Sequence, residues 1–382
     1  MNNYFKKILI IDLVIFILSL LIFSWISFNV STDINLHAEM IRKISDKTIL
    51  PPANFLYYLT VYFFSFFETN IDNLLFSSIF TLTIALTAKF ILTRKIFQYY
   101  NQNNKEIRKN SYVFILLPSI LLLFVFSLPA SNYYLGQIPP NVWHNSTTIL
   151  VMPFSLALFF LSYLQLIKPS NKRISTLVIL CLLNILIKPS YFFVFAMVFP
   201  LLLLKTFKFN NAMWRNLIPV FIGTLTTLIL YYLIYSLSYG NQYADKASII
   251  IKPFSVWSYF TPNILYSLVA SLVFPIIYIG FYWRDVFKNL LLQYATISYL
   301  VAISLTALLS ETGAREYHGN FFWQSTICSY ILFLVTTLLF VEKVAFSGLK
   351  PLKNKVILGA FLLHFLAGIA YLIKIFNTHN YI

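Results

Sequence analysis

Acidic side chains are scarce in this chain: Asp and Glu together number 12 among 382 residues, and all charged residues make up 10%. A soluble globular domain carries about 25% charged residues. No stretch here is polar enough and long enough to fold as a soluble domain of its own, so a single domain, 1–382, is expected. Cysteine is rarer still. Cys181 and Cys328 both lie inside apolar runs, which leaves neither a disulfide framework nor a thiolate metal site. Glycine occurs 9 times, and no glycine-rich loop of the kind that cradles nucleotide phosphates is visible.

What remains is apolar. Hydrophobic residues make up 59% of the chain, with 39 Phe and 26 Tyr, and the mean hydropathy is +0.77. At about 20 residues per crossing, the apolar runs predict an all-α, polytopic transmembrane bundle of about eleven spans, at 8–28, 74–93, 112–129, 146–167, 174–188, 190–205, 217–238, 262–282, 290–309, 321–341 and 356–375. The first run follows Lys6 and Lys7 and is too long for the apolar core of a signal peptide, so it reads as a first span.

The net charge of +16 would suggest nucleic acid in a soluble protein. Here the basic residues stand in short loops between apolar runs, where they set topology; no nucleic-acid partner is expected. With the N-terminus cytoplasmic, one face receives most of the Lys and Arg, from Lys6 and Lys7 through Arg94, Lys168, Arg173, Lys205, Arg215 and Arg284 to Lys355. The other receives Asp33, Glu39, Asp46, Glu68, Asp72, Asp245, Glu311 and Glu316. This assignment requires that 55–67, rich in Phe and Tyr, not cross. Thirteen residues make a helix about 20 Å long, short of a ~30 Å hydrocarbon core. The segment is therefore expected to lie along the outer interface, entered through Pro51-Pro52, and 29–73 becomes a first extracytoplasmic loop with interfacial helices.

Chemistry-bearing residues gather on that outer side. Ser31-Thr-Asp33 opens a short helix that Thr32 or Asp33 caps, and Asp33 and His37 share one face at i,i+4. They suit a base and its partner, or two ligands of a divalent cation such as Mg or Mn; a cap with solvated charges is the plainer reading. Trp143-His144-Asn145 stands at the mouth of the fourth span. Trp143 suits an interface anchor or a sugar-stacking ring, and His144 and Asn145 suit hydrogen bonds to hydroxyls. Asn29-Val-Ser31 and Asn145-Ser-Thr147 match the N-glycosylation pattern, one that chance often supplies. Arg315 has a fork suited to phosphate oxygens, with an ion pair to Glu311 or Glu316 as its alternative role. Lys188, Lys246 and Lys252 are the other outer cations. His37, His144 and His318 fall in three different outer loops, a distribution that suggests one site assembled from distant loops. Asp12, near the start of the first span, suits a contact between helices.

The layout of the first 110 residues resembles the GT-C superfamily of polytopic glycosyltransferases. One span is followed by an outer loop opening on Asp33, with His37 and Glu39. Pro51-Pro52 and an aromatic interfacial helix come next, then a second span and a basic inner loop. The resemblance implies a bacterial cytoplasmic-membrane enzyme that moves a sugar from a polyprenyl-phosphate donor to an acceptor glycan or lipid. It implies Asp33 as the base, with Glu39 as a second acidic residue; many members hold their two acidic residues closer together than Asp33 and Glu39. Rival readings are a transporter or flippase for a lipid-linked glycan, a polysaccharide polymerase or ligase, and an outer-face acyltransferase using His318 with Arg315.

Overall fold

The computed structural model describes residues 3–102, 104, 107, 112–130, 135–233 and 248–381. Asp245, Lys246, Lys105, Arg108 and Lys109 lie outside the described residues. Helices dominate: α1 (Asn3–Asn29), α2 (Asp33–Ser45), α3 (Leu56–Phe64), α4 (Ile71–Tyr100), α5 (Val113–Leu123), α6 (Ser146–Ile167), α7 (Asn171–Ile187), α8 (Ser190–Phe207), α9 (Asn211–Asn216), α10 (Ile218–Tyr232), α11 (Ser255–Phe260), α12 (Ile264–Phe281), α13 (Trp283–Lys288), α14 (Leu290–Leu308), α15 (Phe322–Ser347) and α16 (Leu352–Thr378). Eight of them, α1, α4, α6, α8, α12, α14, α15 and α16, are long and apolar enough to cross a membrane. At the three other expected spans, α5 has 11 residues, α7 has 17 and α10 has 15 among the described residues; 234–238 of the span expected at 217–238 lie outside the described residues.

The sequence predicts helices alone; among the described residues the structure adds a two-stranded ribbon. β1 (Ile249–Ile251) pairs antiparallel with β2 (Leu309–Glu311), Ile250 opposite Ser310. A run of three β-branched residues suits a strand, and the pairing brings Lys252 to Glu316 at 2.5 Å.

α6 and α15 are the central helices. In the most apolar stretch of each, 78% of residues are buried, against 17% for α1, which lies at the rim. The apolar residues that α1 leaves exposed, among them Leu9, Leu13, Ile17 and Leu21, form the kind of face that lipid covers. Its polar contact points inward: Arg94 of α4, 4% exposed, grips both carboxylate oxygens of Asp12 at 2.5 and 2.9 Å. This is the interhelical contact expected for Asp12.

Side-chain bonds sort the loops between two ends of the bundle. At one end Lys205 reaches Gln293, Arg215 reaches Asn171, Asn289 reaches Tyr100, and Lys343 pairs with Asp285. At the other end lie the Asp33 loop, the turns at 143–145 and 188–189, the ribbon, and the turn after α16.

After α5, residues 124–130 run unwound and are mostly buried or half-buried against the bundle. Backbone within apolar surroundings must find partners for its N–H and C=O groups. Proline in a helix frees such groups, and α12 carries Pro275. Leu128 N donates to Ala270 O in the turn before that proline, at 3.0 Å. His364 of α16 closes the gap, with Nε2 accepting from Phe274 N at 3.3 Å and Nδ1 lying 2.7 Å from Phe126 O. The approach is tight: a Cβ on Gly368 would stand 1.5 Å from Phe124 O. Because the obstacle is backbone, Gly368→Ala is expected to lower the thermal unfolding midpoint in detergent by several degrees or to abolish folding. Gly359→Ala in the same helix faces open space and is expected to leave the midpoint unchanged or slightly raised.

Candidate functional site

Asn145 joins the pieces. It is the N-cap of α6: its side-chain Oδ1 accepts from Thr148 N at 3.0 Å and Thr148 Oγ1 at 2.6 Å. An N-cap must present an acceptor to the helix, so the amide nitrogen faces the other way, and there it donates to Asp33 Oδ2. The same Oδ1 accepts from Lys188 Nζ at 3.1 Å, and Lys188 also donates to Thr147 Oγ1 at 3.0 Å. One buried amide therefore lies between a carboxylate and an ammonium brought from positions 112 and 43 residues away in the chain.

Local sequence explains each approach. Thr32, not Asp33, caps α2, its Oγ1 accepting from Ile34 N at 3.3 Å. Asp33 thus becomes the first residue of the helix, with its carboxylate left for Asn145. Asn35 ties α2 back to the end of α1 by donating to Ser27 O at 2.8 Å. Lys188 ends α7 in extended conformation, as a residue before proline must, and the turn at Pro189 aims it across the bundle end. α2 buries Ile34, Ala38 and Ile41 and so holds Asp33 and His37 on the face turned to α6.

His37 Nδ1 bonds Ser146 Oγ, and its ring packs against Tyr57 and Tyr58 at 5.5 and 5.3 Å. These tyrosines are the buried face of α3, whose Leu59 and Phe63 point out together with Phe66 and Phe67 beyond its end. Within 55–67 the structure holds a short helix of 9 residues, too short to cross a bilayer, with one face on the site and one apolar face exposed. His144 stacks on Tyr381 at 4.2 Å and 13°, and Trp323 lies 5.7 Å from it. Lys188 Nζ stands 4.9 Å from the Trp323 ring centre.

Burial sets the protonation of this group. It holds His37 down to about 4, against the pull of the Asp33 charge, and Lys188 adds to the lowering. His144 is likewise held at about 4, for the same causes in the same order. Lys188 is brought down to about 7 by burial, which the Asp33 charge opposes and the Arg315 charge reinforces. Near neutral pH the site thus offers two uncharged imidazoles and an amine that exchanges its proton there.

The other expected residues lie apart. Glu39 pairs with Arg42 at 2.6 Å on an exposed flank. Trp143 is 2% exposed and packs on Phe23 at 5.8 Å, inside the core. Lys252 is held by Glu316. Arg315 lies 3.7 Å from Glu311 with its side chain 54% exposed, close enough for its charge to be felt at Lys188 and Tyr58. His318 is exposed beside it. Among the described residues no three His, Cys, Asp or Glu side chains gather to hold a metal ion. Asp33 and His37 supply two donors, with the Lys188 charge opposing a cation, so this donor set does not fit a divalent ion. Asn145 is 5% exposed and fully engaged, which does not suit a glycan acceptor.

Sequence reasoning missed Trp323, Tyr381 and Ser146, apolar or small residues at helix ends with no local signal. It also missed Lys89, hidden inside an apparent span. Lys89 is 3% exposed, donates to Asn141 Oδ1 at 2.8 Å, and lies 3.6 Å over the Tyr330 ring. It lines a cavity of about 10 Å³ with Asn141 and Trp143, room for about one water.

No family model matches this chain, and neither the curated proteins nor the solved structures yield a match.

The site's protonation is testable. Side-chain imidazole NMR, assigned with His37→Gln and His144→Gln, is expected to show both rings still neutral at pH 5.5, where a free histidine is mostly charged. Protonation of either ring near pH 6.5 would contradict the burial described.

Proposed function

We propose that the protein is a GT-C-like membrane glycosyltransferase that moves a sugar from a polyprenyl-phosphate donor to an acceptor glycan or lipid, at the extracytoplasmic face of a cytoplasmic membrane. The observation that carries this reading is the shared Asn145, which holds a carboxylate and a lysine amine on either side of one amide. Sugar transfer from a phosphate needs both groups. The acceptor hydroxyl must lose a proton as it attacks the anomeric carbon, and the departing phosphate must have its charge met. Asp33 takes the proton. Lys188, in its ammonium form, meets the phosphate, and Arg315 adds long-range positive potential from the rim. The neutral His37, bonded to Ser146, fixes the face of α2 on which Asp33 stands. Tyr57 and Tyr58 complete an apolar wall at the depth where a prenyl chain enters between helices.

The orientation follows from charge. The bundle end that carries Lys168, Lys172, Arg173, Lys205, Lys208, Lys350, Lys353 and Lys355 suits the cytoplasm by the positive-inside rule. The Asp33 end then faces outward, where lipid-linked sugars are used.

A second reading, a transporter or flippase for a lipid-linked glycan, draws on the unwound chain at 124–130 and on buried Lys89. Broken helices and interior charges mark substrate paths in transporters. Both features here are internally engaged, by His364 and Asn141, and so the transferase reading is preferred.

Asp33→Asn keeps the size of the side chain and removes the base. In the purified full chain, sugar transfer from a polyprenyl-phosphate-sugar donor is expected to fall about a hundredfold or more, with donor binding largely kept. Full transfer activity in this variant would remove Asp33 from the mechanism. Donor movement across vesicles without transfer would favour the second reading.

A further inference from the structure

Tyr381 packs at the bundle end beside the site. α16 ends at His379, which adopts φ 54° and donates its backbone N–H to Ile375 O at 3.0 Å. The turn then carries the chain back over the bundle end, with His379 against Trp25 at 5.3 Å. Tyr371 Oη donates to Tyr381 O at 3.0 Å, and Thr378 Oγ1 to Asn380 O at 3.3 Å. His379 and Asn380 are exposed, while Tyr381 is half-buried. Turns of this kind at helix ends open at low cost.

The Tyr381 ring lies nearly parallel to His144, at 4.2 Å and 13°. Trp323 stands beside the same imidazole, and Lys188 stands over Trp323. The Asp33 charge is felt at the Tyr381 phenol. The phenol therefore fills a flat seat on His144, next to the Trp323 ring over which the Lys188 amine stands. Beneath that seat His144 Nδ1 is fully buried and has no hydrogen-bond partner among the described residues. A buried nitrogen left unpaired costs about 1–3 kcal/mol, so as it stands this seat is incompletely satisfied.

A sugar ring has about the dimensions of a phenol and a C–H face that packs on the electron-rich face of an aromatic ring. We propose that Tyr381 holds the seat of a sugar ring. When a lipid-linked sugar phosphate enters, the turn at 379–381 lifts, the ring takes the phenol's place against His144 and Trp323, and the phosphate rests at Lys188. The inference rests on the functional reading above and deepens it, by naming the subsite of the donor sugar and the side chain that competes for it.

The test uses the full chain in detergent and two synthetic phosphate diesters of equal charge, citronellyl glucosyl phosphate and citronellyl methyl phosphate. Binding is read by calorimetry for the unmodified chain, Tyr381→Ala, Tyr381→Phe and Trp323→Leu. Tyr381→Ala is expected to tighten the glucosyl ester about tenfold and leave the methyl ester unchanged. Tyr381→Phe, which still fills the seat, is expected to match the unmodified chain, and Trp323→Leu to lose the preference for the ring. An equal change for both esters, a weaker glucosyl ester in Tyr381→Ala, or no binding of either ester at millimolar concentration overturns the proposal. Diethyl pyrocarbonate labelling of His144, resolved by peptide mass spectrometry, needs no ligand. Faster labelling in Tyr381→Ala supports a displaceable cover, and equal rates overturn it. The two readings fail separately: sugar transfer that is indifferent to Tyr381→Ala sinks the seat alone, and a ring preference without sugar transfer sinks the transferase alone.

Discussion

One amide organises the candidate site. Asn145 has two jobs fixed by its position before α6: its oxygen must face the helix, and its nitrogen must find an acceptor elsewhere. The acceptor is Asp33 and the extra donor to its oxygen is Lys188. α2, α6 and the α7–α8 corner are drawn together by that pairing, and the Tyr57 face of α3 follows through His37. The same burial that makes the amide bond worthwhile moves His37, His144 and Lys188 away from their ordinary protonation. Structure and chemistry at this bundle end thus share a cause, the scarcity of water around polar groups.

That scarcity governs the rest of the bundle too. Several interior polar groups are answered by another from a distant part of the chain: Asp12 by Arg94, Lys89 by Asn141, Ser155 by Asn184, Gln165 by Asn216. Asn141 also donates to Leu121 O and Val125 O at 2.7 Å each, where the chain leaves α5. The unwound segment is tolerated because the side chains of Asn141 and of His364 in α16, and the Ala270 carbonyl of α12, bond its backbone in place of a continuous helix. Residues 136–143, mostly buried, lead to the start of α6 from within the bundle, which is why Trp143 is core and only His144 and Asn145 reach the site.

The fold class was legible because long apolar runs have one structural outcome, and the short aromatic helix α3 was legible from its length. Asp33 and His37 were legible as a pair because helix periodicity places i and i+4 together. Lys188 and Asn145 stood out by residue type, yet nothing local told that they meet. Trp143 misled because an indole near a span end suits an interface and a core equally. Glu39 lies two residues beyond His37, which turns it to the opposite flank of α2, where Arg42 takes it. Tyr381 and Trp323 carried no signal, since aromatic residues are abundant throughout and stacking depends on tertiary approach. Lys89 was hidden because a single cation does not spoil an apolar average.

The coupling between Asp33 and Asn145 is the most direct measure of whether this site exists as described. In a double-mutant cycle, Asp33→Ala, Asn145→Ala and the double variant would be compared with the unmodified chain by reversible unfolding in detergent. A shared charge-assisted bond predicts a coupling of about 1 kcal/mol or more. Losses that simply add would mean that the two side chains do not meet, and the site built around them would fall.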